Sequence, residues 1–512
     1  MAKTTKTTSK KTSTPVKERK HTDNTLGIVL LATLTMLSAA AFFAVMWYRN
    51  VYGDTGFDSV IYTLFGGLGG TQDGLMLSFF AKAILPSIAV TIALTLLCFP
   101  PKAWKRKSFR GLIRTFSVLL CLFLLVSAAF NVGLVDYIRS RTQLTELYEN
   151  EYVDPNTVKI EFPEEKRNLI YIYLESMESS YLSKEQGGAM DTCLIPELYN
   201  LANEYTNFSH NKDVGGLVEV TGTSWTVGAM VGQTSGVPLF VPNGISDWQN
   251  GYGKDGEFLP GLTTLNNILA DAGYSQTLMV GSDVNFGGRK TYFGTHGVEN
   301  IHDVYTARKD GIIPPNYFEW WGMEDLHLFE YAKQKLTELA QSDDPFYFTA
   351  ITVDTHHIGG YNCVYCGSDY EETYENAIAC SSKQVTAFVR WIQAQDFYEN
   401  TTIIITGDHF SMDSGYFSRN VAEGYVRHGY NCIINAAVTT KNTHNRHFSS
   451  LDMFPTTLAA IGCTIEGNRL GFGANLYSST PTLIEKYGYA AFNDELSKRT
   501  DYYAENFYGE SN

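Results

Sequence analysis

Three long apolar stretches, Thr25 to Tyr48, Leu77 to Phe99 and Leu112 to Val135, fill most of the first 135 residues of this 512-residue chain. Each reaches the ~20 residues with which a helix crosses roughly 30 Å of hydrocarbon. None carries more than one charge. Lys82 and Arg114 fall near span ends, where a long stem reaches the headgroups. A cleaved signal peptide would have an apolar region of only ~7–15 residues, so the pattern predicts three spans, 25–48, 77–99 and 112–135.

The flanks set the orientation. Residues 1–24 carry Lys3, Lys6, Lys10, Lys11, Lys17, Arg19 and Lys20, and the second loop carries Lys102, Lys105, Arg106, Lys107 and Arg110. The first loop has one basic residue, Arg49, against Asp54, Asp58 and Asp73. The excess of basic residues on cytoplasmic loops then places the N-terminus and the second loop inside, and everything beyond Val135 outside. The Thr/Lys/Ser-rich residues 1–24 read as a disordered basic cytoplasmic tail.

Charge divides the chain in the same way. Residues up to 141 hold 17 basic and 6 acidic side chains, and the totals of 39 and 54 leave 22 basic and 48 acidic beyond. So acidic a domain excludes nucleic acid as a partner, because phosphate backbones are bound by Lys and Arg. Cys98 and Cys121 lie inside spans as small apolar residues. Six cysteines remain outside: Cys193, Cys363, Cys366, Cys380, Cys432 and Cys463. An even count in an oxidising compartment predicts disulfides, with roughly 15 possible pairings. Cys363–Val–Tyr–Cys366 also reads as half a zinc site or a redox pair. No second CxxC or suitably spaced histidine pair follows, so a disulfide cluster with Cys380 is the expectation.

Residues 136–165 read as a linker with helical character, 166–480 as the catalytic domain and 481–512 as a C-terminal tail. Short runs rich in Ile, Val, Tyr and Phe recur at Asn168–Leu174, Gln276–Val280, Phe346–Val353, Thr402–Thr406 and Cys432–Val438. Amphipathic segments such as Leu326–Ala340 and Ser382–Gln395 lie between them. Near-continuous apolar strands alternating with helices predict an α/β sandwich with a mostly parallel central sheet covered on both faces.

Sites in such sheets form at the C-terminal ends of strands. Leu174–Glu175–Ser176 follows the first run and Gly407–Asp408–His409 the fourth. Two carboxylates and an imidazole at strand ends suit a divalent cation, although an acid after a strand is often only a helix cap. Gly222–Thr–Ser–Trp225–Thr226–Val–Gly–Ala–Met230 leads a glycine- and hydroxyl-rich turn into an apolar helix. The N–H groups and positive end of that helix favour a phosphoryl group. A hydroxyl there is either a helix cap or a metal-activated nucleophile.

In these motifs the sequence resembles the membrane-anchored phosphoglycerol transferases of the alkaline-phosphatase/sulfatase superfamily, which include lipoteichoic acid synthase and the enzyme acting on periplasmic glucans. The glucan enzyme is the nearer in motifs. Carrying the resemblance are Asn168–Leu–Ile–Tyr–Ile–Tyr–Leu–Glu175–Ser176, Gly222–Thr–Ser–Trp–Thr226, Ser235–Gly–Val–Pro–Leu239, Asp354–Thr–His356–His357, Gly407–Asp408–His409 and Leu451–Asp–Met–Phe–Pro455–Thr456. It implies that Glu175, Thr226, Asp408 and His409 bind one divalent cation, Mn²⁺ foremost with Mg²⁺ or Zn²⁺ also suited, and that Thr226 is the nucleophile. His356 would act on the substrate, and Arg289 would face its phosphate or glycerol. Asp283 and Trp225 are candidates for the pocket wall.

His357, His428, His444 and His447 read as non-ligands, and Asp452 as a helix-opening residue. The implied activity is transfer of glycerol phosphate from phosphatidylglycerol, at a bacterial inner membrane, to an envelope glycan or polyglycerophosphate, with release of diacylglycerol. Phosphoethanolamine transfer and a catalytically inactive envelope scaffold are the rivals. A formylglycine sulfatase is disfavoured, because no Cys-x-[Pro/Ala]-x-Arg occurs and Cys193–Leu–Ile–Pro–Glu fails that pattern.

Overall fold

The computed structural model describes residues 19–53, 57, 60–61, 73–97, 107–240 and 257–508. It divides into two compact units, Met1–Tyr48 with Asp73–Val132, and Arg49–Gln72 with Gly133–Asn512. Most of the expected N-terminal tail, residues 1–18, lies outside the described residues, and a helix is already formed from Arg19. Leu26–Tyr52, Gly74–Leu97 and Gly111–Asn131 are helices long and apolar enough to cross a membrane. Residues 98–99 of the second expected span lie outside the described residues. The third helix stops at Asn131, short of the expected Val135, where Gly133 takes φ 75° and a separate helix, Leu134–Arg141, begins. Within the first unit Ser38, Ala39, Ala83, Ser87 and Ser117 are buried, while Leu30, Leu37, Leu77 and Leu112 point outward. Small residues inside and large apolar ones outside is the arrangement hydrocarbon favours, since burying leucine gains nothing there. Ser38 and Ser87 donate their hydroxyls to the carbonyls of Leu34 and Ala83, one turn back in each helix.

The second unit is built on a seven-stranded sheet. Its strands are β1 (Asn168–Leu174), β2 (Gly216–Leu217), β3 (Ser275–Val280), β4 (Asn300–His302), β5 (Phe346–Ile351), β6 (Thr401–Gly407) and β7 (Gly429–Ile434). In space they run β2-β7-β6-β1-β5-β3-β4. β6, β1, β5, β3 and β4 are parallel, and β7 and β2 close one edge antiparallel. The mostly parallel α/β sandwich is therefore the fold, and four of the five expected strands start or end within two residues of the runs read from sequence.

Alternation along β1 feeds two separate cores. Leu169, Tyr171 and Tyr173 point to one face, and Ile170, Ile172 and Leu174 to the other. Helices α1 (Thr226–Ser235), α2 (Arg289–Thr295) and α5 (Met453–Ala460) cover the first face through Met230, Val231, Tyr292, Phe454 and Leu458. Helices α3 (Asp325–Leu339) and α4 (Thr373–Gln393) cover the second through Leu328, Leu336, Ile378 and Val385. Burial on both faces explains why the strands read as unbroken apolar runs. Asp452 opens α5 as expected: its Oδ2 accepts the Ser449 N–H at 2.8 Å and its Oδ1 accepts the Ala474 N–H at 2.8 Å.

The segments read as linker and tail are built into this unit. Ile160–Glu161 pairs antiparallel with Thr464–Ile465, and Leu147 and Tyr148 are buried in the first core. Leu483, Phe492, Leu496, Tyr503 and Phe507 join that same core. Glu151 receives Arg469 at 2.9 Å and Lys486 at 2.6 Å, which ties the start of the unit to its end.

Candidate active site

The sheet register brings the first two acidic residues together. Leu174 pairs with Gly407, so Glu175 and Asp408 are the next residues on adjacent parallel strands. Gly407 has to be glycine, because a Cβ there would lie 2.0 Å from the Met177 carbonyl oxygen. Ser176 then turns into the left-handed region, φ 53°, and donates its N–H to Asp408 Oδ1 at 2.8 Å and its hydroxyl to Glu175 Oε1 at 2.8 Å. A non-glycine residue held there is strained, and here the strain aims an N–H at a carboxylate. Beyond β5, Thr352 accepts the Glu175 N–H at 2.9 Å and Thr355 donates to the Glu175 carbonyl at 2.5 Å.

Helix α1 carries Thr226 at its first position, after extended Trp225. The helix is pinned over the strand ends by Gln233, which accepts from Tyr171 Oη at 2.7 Å and donates to the Gly407 carbonyl at 3.3 Å. Gly222, with φ +82° and no room for a Cβ against Leu239, makes the preceding turn. Thr226 Oγ1 thereby lies 3.4 Å from His409 Nε2, which is itself 3.5 Å from both Glu175 Oε1 and Asp408 Oδ2.

These separations are long for hydrogen bonds. They are close to the ~3.4 Å edge of a tetrahedron of N and O atoms set roughly 2.1 Å from a shared centre. The remaining chemistry fits a cation there. Asp408 Oδ2 is buried with no hydrogen-bond partner. His409 Nδ1 bonds the Phe410 carbonyl at 2.8 Å, which requires the proton on Nδ1 and makes Nε2 the nitrogen that faces the carboxylates. Burial and then the Glu175 charge push the Asp408 carboxyl up to about 7. Burial lowers the His409 pKa, but Asp408, Glu175 and Glu219 outweigh it and raise the imidazole to about 9. Excess negative charge is thus buried around one point, and Glu175, Asp408 and His409 form a group able to hold a metal ion.

Thr226 and Glu175 open onto a cleft that is also lined by Ser282, Phe286, Arg289, Trp321 and His356. The Arg289 side chain is buried and fixed, with Nη2 donating to Ser282 Oγ at 2.8 Å and the Asp283 carbonyl at 2.7 Å, and Nε to the Phe286 carbonyl at 3.1 Å. His356 packs on Trp321 with ring centroids 4.5 Å apart, and its Nδ1 bonds the His357 carbonyl at 2.7 Å. That bond needs the proton on Nδ1, which leaves Nε2 as an acceptor.

A family model described as Sulfatase matches residues 167–463. The chain belongs to the sulfatase family. Phosphoglycerol transferase I of Escherichia fergusonii is 29% identical over 403 residues, which are 75% of this chain and 49% of that protein. The chain thus spans about half the length of the curated relatives it matches. Among solved structures, the integral membrane protein lipooligosaccharide phosphoethanolamine transferase A (EptA) from Neisseria meningitidis is similar at TM-score 0.50 and 14% identity, over 85% of this chain and 84% of that one. The lipoteichoic acid synthase LtaP from Listeria monocytogenes is similar at TM-score 0.48 and 16% identity, over 65% and 80% of the two chains.

In this sulfatase-family domain the structure gathers Glu175, Thr226, Arg289 and His356 around one cleft, with Asp408 and His409 packed beside Glu175 and Thr226. Two expected wall residues are placed elsewhere. Asp283 Oδ1 caps its own turn by accepting the Asn285 N–H at 2.8 Å, and Trp225 is buried against Gly228. Their neighbours in sequence, Arg289 and Thr226, take the cleft positions. Ser176, Thr352, Trp321 and Glu219 were not foreseen. Glu219 accepts the Phe410 N–H beside His409, and burial pushes its carboxyl up to about 7. Ser176, next to Glu175 at a strand end, offered a local signal; the other three are placed by tertiary structure alone.

The expected disulfides are not formed. Among the described residues Cys193, Cys363, Cys366, Cys380, Cys432 and Cys463 are all free thiols. Cys193, Cys432 and Cys463 sit in separate places, Cys432 within β7 and Cys463 after α5, whereas Cys363, Cys366 and Cys380 form a cluster.

Proposed function

We propose that this protein transfers glycerol phosphate from phosphatidylglycerol to a hydroxyl of an envelope glycan or polyglycerophosphate, through a phosphodiester formed on Thr226. The observation that carries the reading is Thr226 Oγ1 at the start of α1, within 3.4 Å of His409 and sharing a cleft with Glu175, Arg289 and His356. The likeness to phosphoglycerol transferase I supports the headgroup. The apolar N-terminal helices would hold the domain at the bilayer, outside the cell by the basic flanks, where a lipid donor is presented.

A divalent cation bound by Glu175, Asp408, His409 and Thr226 would supply Lewis acidity, lowering the hydroxyl pKa and countering charge on a phosphoryl oxygen. Thr226 Oγ attacks phosphorus and the bond to the diacylglycerol oxygen breaks. The proton lost by Thr226 is balanced by the one diacylglycerol gains. The α1 N–H groups and the fixed Arg289 guanidinium face the non-bridging oxygens, where preorganised donors contribute most. His356 Nε2, an acceptor, orients a hydroxyl of the glycerol or takes the proton of the incoming acceptor alcohol. That alcohol then attacks phosphorus, Thr226 leaves, and the enzyme is restored in a ping-pong cycle.

The test is incubation of the full chain in detergent with phosphatidylglycerol and Mn²⁺, beside Thr226→Ala. Diacylglycerol release and a glycerophosphoryl adduct on intact wild type, both lost in the variant, are expected. Release from phosphatidylethanolamine but not phosphatidylglycerol would overturn the headgroup, and release by Thr226→Ala would overturn the nucleophile.

A further inference from the structure

Loop residues Cys363 and Cys366 follow β5, and Cys380 lies on the buried face of α4. Cys363 Sγ is 3.7 Å from Cys366 Sγ and 3.8 Å from Cys380 Sγ. All three sulfurs lie within 4.8 Å of one another. We propose that Cys363, Cys366 and Cys380 bind Zn²⁺, or another soft d¹⁰ cation, through three thiolates, at a site separate from the cleft.

A disulfide joins one pair and singles out a partner, whereas Cys363 stands equally far from both. The edge of a tetrahedron of sulfurs set ~2.3 Å from zinc is about 3.8 Å, the spacing found here. The surroundings are donors directed at sulfur. Cys363 and Cys366 enclose a tight turn, with the Cys366 N–H on the Cys363 carbonyl at 3.0 Å. Gln384, one turn along α4 from Cys380, places Nε2 3.4 Å from Cys380 Sγ and 3.7 Å from Cys363 Sγ. Neutral thiols and disulfide sulfurs are weak acceptors, and converging N–H groups favour sulfur that carries charge. Thiolate ligands in turn select soft cations over the hard ones suited to Glu175 and Asp408. Each thiol releases its proton as it binds. Cys363 and Cys380 are buried and Cys366 is partly exposed, so the fourth position faces solvent and takes water.

The location gives the site a purpose. The chain from β5 to Cys363 carries His356 and is otherwise tied down by single bonds, such as the Gly359 N–H to Asp413 at 3.0 Å and the Tyr361 N–H to the Asp354 carbonyl at 2.7 Å. A cation on the three sulfurs clamps this loop to α4 and makes Cys363 a positioning residue for His356.

The test uses the full chain in detergent, purified without reductant or chelator. Denaturing alkylation is expected to label Cys363, Cys366 and Cys380 alike. Zinc exchanged for Co²⁺ is expected to give a thiolate-to-cobalt charge-transfer band that persists in Asp408→Asn and disappears in Cys380→Ser. Because Cys380 is buried, the partly exposed Cys366→Ser is run beside it, with zinc content falling by one ion per chain. Labelling of only one cysteine of the three would show a disulfide and overturn the proposal. Three labelled thiols with no such band, or with unchanged zinc in Cys366→Ser, would overturn it as well.

Discussion

Asp325 and Asp354 brace the same turn from opposite sides. Asp354 Oδ1 accepts the N–H of Asp325 at 3.1 Å, and Asp325 Oδ1 accepts the N–H of Val353 at 2.7 Å. Both side chains are buried, and the second oxygen of each has no hydrogen-bond partner. The pair fixes the start of α3 to the segment that leads from β5 to His356.

Burial pushes the Asp325 carboxyl up to about 7, and burial with the Asp325 charge raises Asp354 as well. The folded state therefore holds protons that the unfolded chain releases near pH ~4. Stability contributed by these protons is present at acid pH and lost as pH rises towards 7 and beyond. Asp325→Asn keeps the acceptor and removes the charge. It should raise stability at pH ~8 by on the order of 1–3 kcal/mol, with little effect near pH ~4. Urea titrations at the two pH values check this, and an equal loss at both would remove the charge argument.

In the proposed reading, the cluster of Glu175, Asp408 and His409 trades stability against metal binding. Asp408→Asn should be more stable than wild type in chelator, because a buried carboxylate that burial and Glu175 already push up to about 7 is neutralised. Wild type should gain about 2.7 kcal/mol from a divalent cation at a hundredfold excess over its Kd, and the variant much less. Thermal unfolding with and without Mn²⁺ reads both effects; an equal metal gain in the two proteins would place the ion elsewhere.

Thr226→Ala should lower turnover on the order of 10⁴-fold or more without moving the unfolding transition. Thr226→Ser, which keeps the oxygen, should retain measurable turnover and form the same adduct. An inactive serine variant with normal metal affinity would mean that the methyl group, and not only the hydroxyl, positions the attack.

Arg289→Lys keeps a positive charge but loses the planar fork that grips Ser282 and the Asp283 carbonyl. Turnover should fall by about 10²-fold, the scale of one preorganised donor, with metal affinity unchanged. A rise in KM at full kcat would instead assign Arg289 to ground-state binding.

His210 and His428 stack with centroids 3.4 Å apart and planes 2° from parallel. Burial and the neighbouring His447 pull His210 down to about 4, and burial with His210 pulls His428 down to about 3. The unfolded chain takes up protons near pH ~6.5 that the folded pair refuses. Their stabilising contribution is thus complete above ~6.5 and declines as pH falls towards 4. His428→Phe should flatten the fall in Tm between about pH 7 and pH 5; parallel curves for the two proteins would show that acid acts elsewhere.

The fold was readable because β1, β5 and β6 are buried on both faces and leave unbroken apolar runs. Glu175, Asp408 and His409 were readable because strand ends in such sheets face the site. Helix α4 begins nine residues before its expected start, because its first turns bury polar groups such as Asn376, whose amide is satisfied by the Tyr370 carbonyl at 2.8 Å. Strand β7 lies three residues earlier than its apolar run, since Asn431 is buried with its amide bonded to the Phe208 backbone at 2.9 and 2.8 Å. Residues 136–165 and 481–508 looked peripheral because their apolar partners are distant in sequence. Cysteine number and spacing carry no information on how far apart the sulfurs lie, so the free thiols could come only from the structure.

The bond from Ser176 to Asp408 spans 232 residues of chain. A ribosome has made β1 and α1 long before it reaches β6, and until then there is no Asp408 carboxylate and no His409 imidazole to complete the cluster. Prematurely terminated copies therefore keep Glu175 and Thr226 yet lack the Asp408 carboxylate and His409 imidazole that complete the cation site in the reading proposed above.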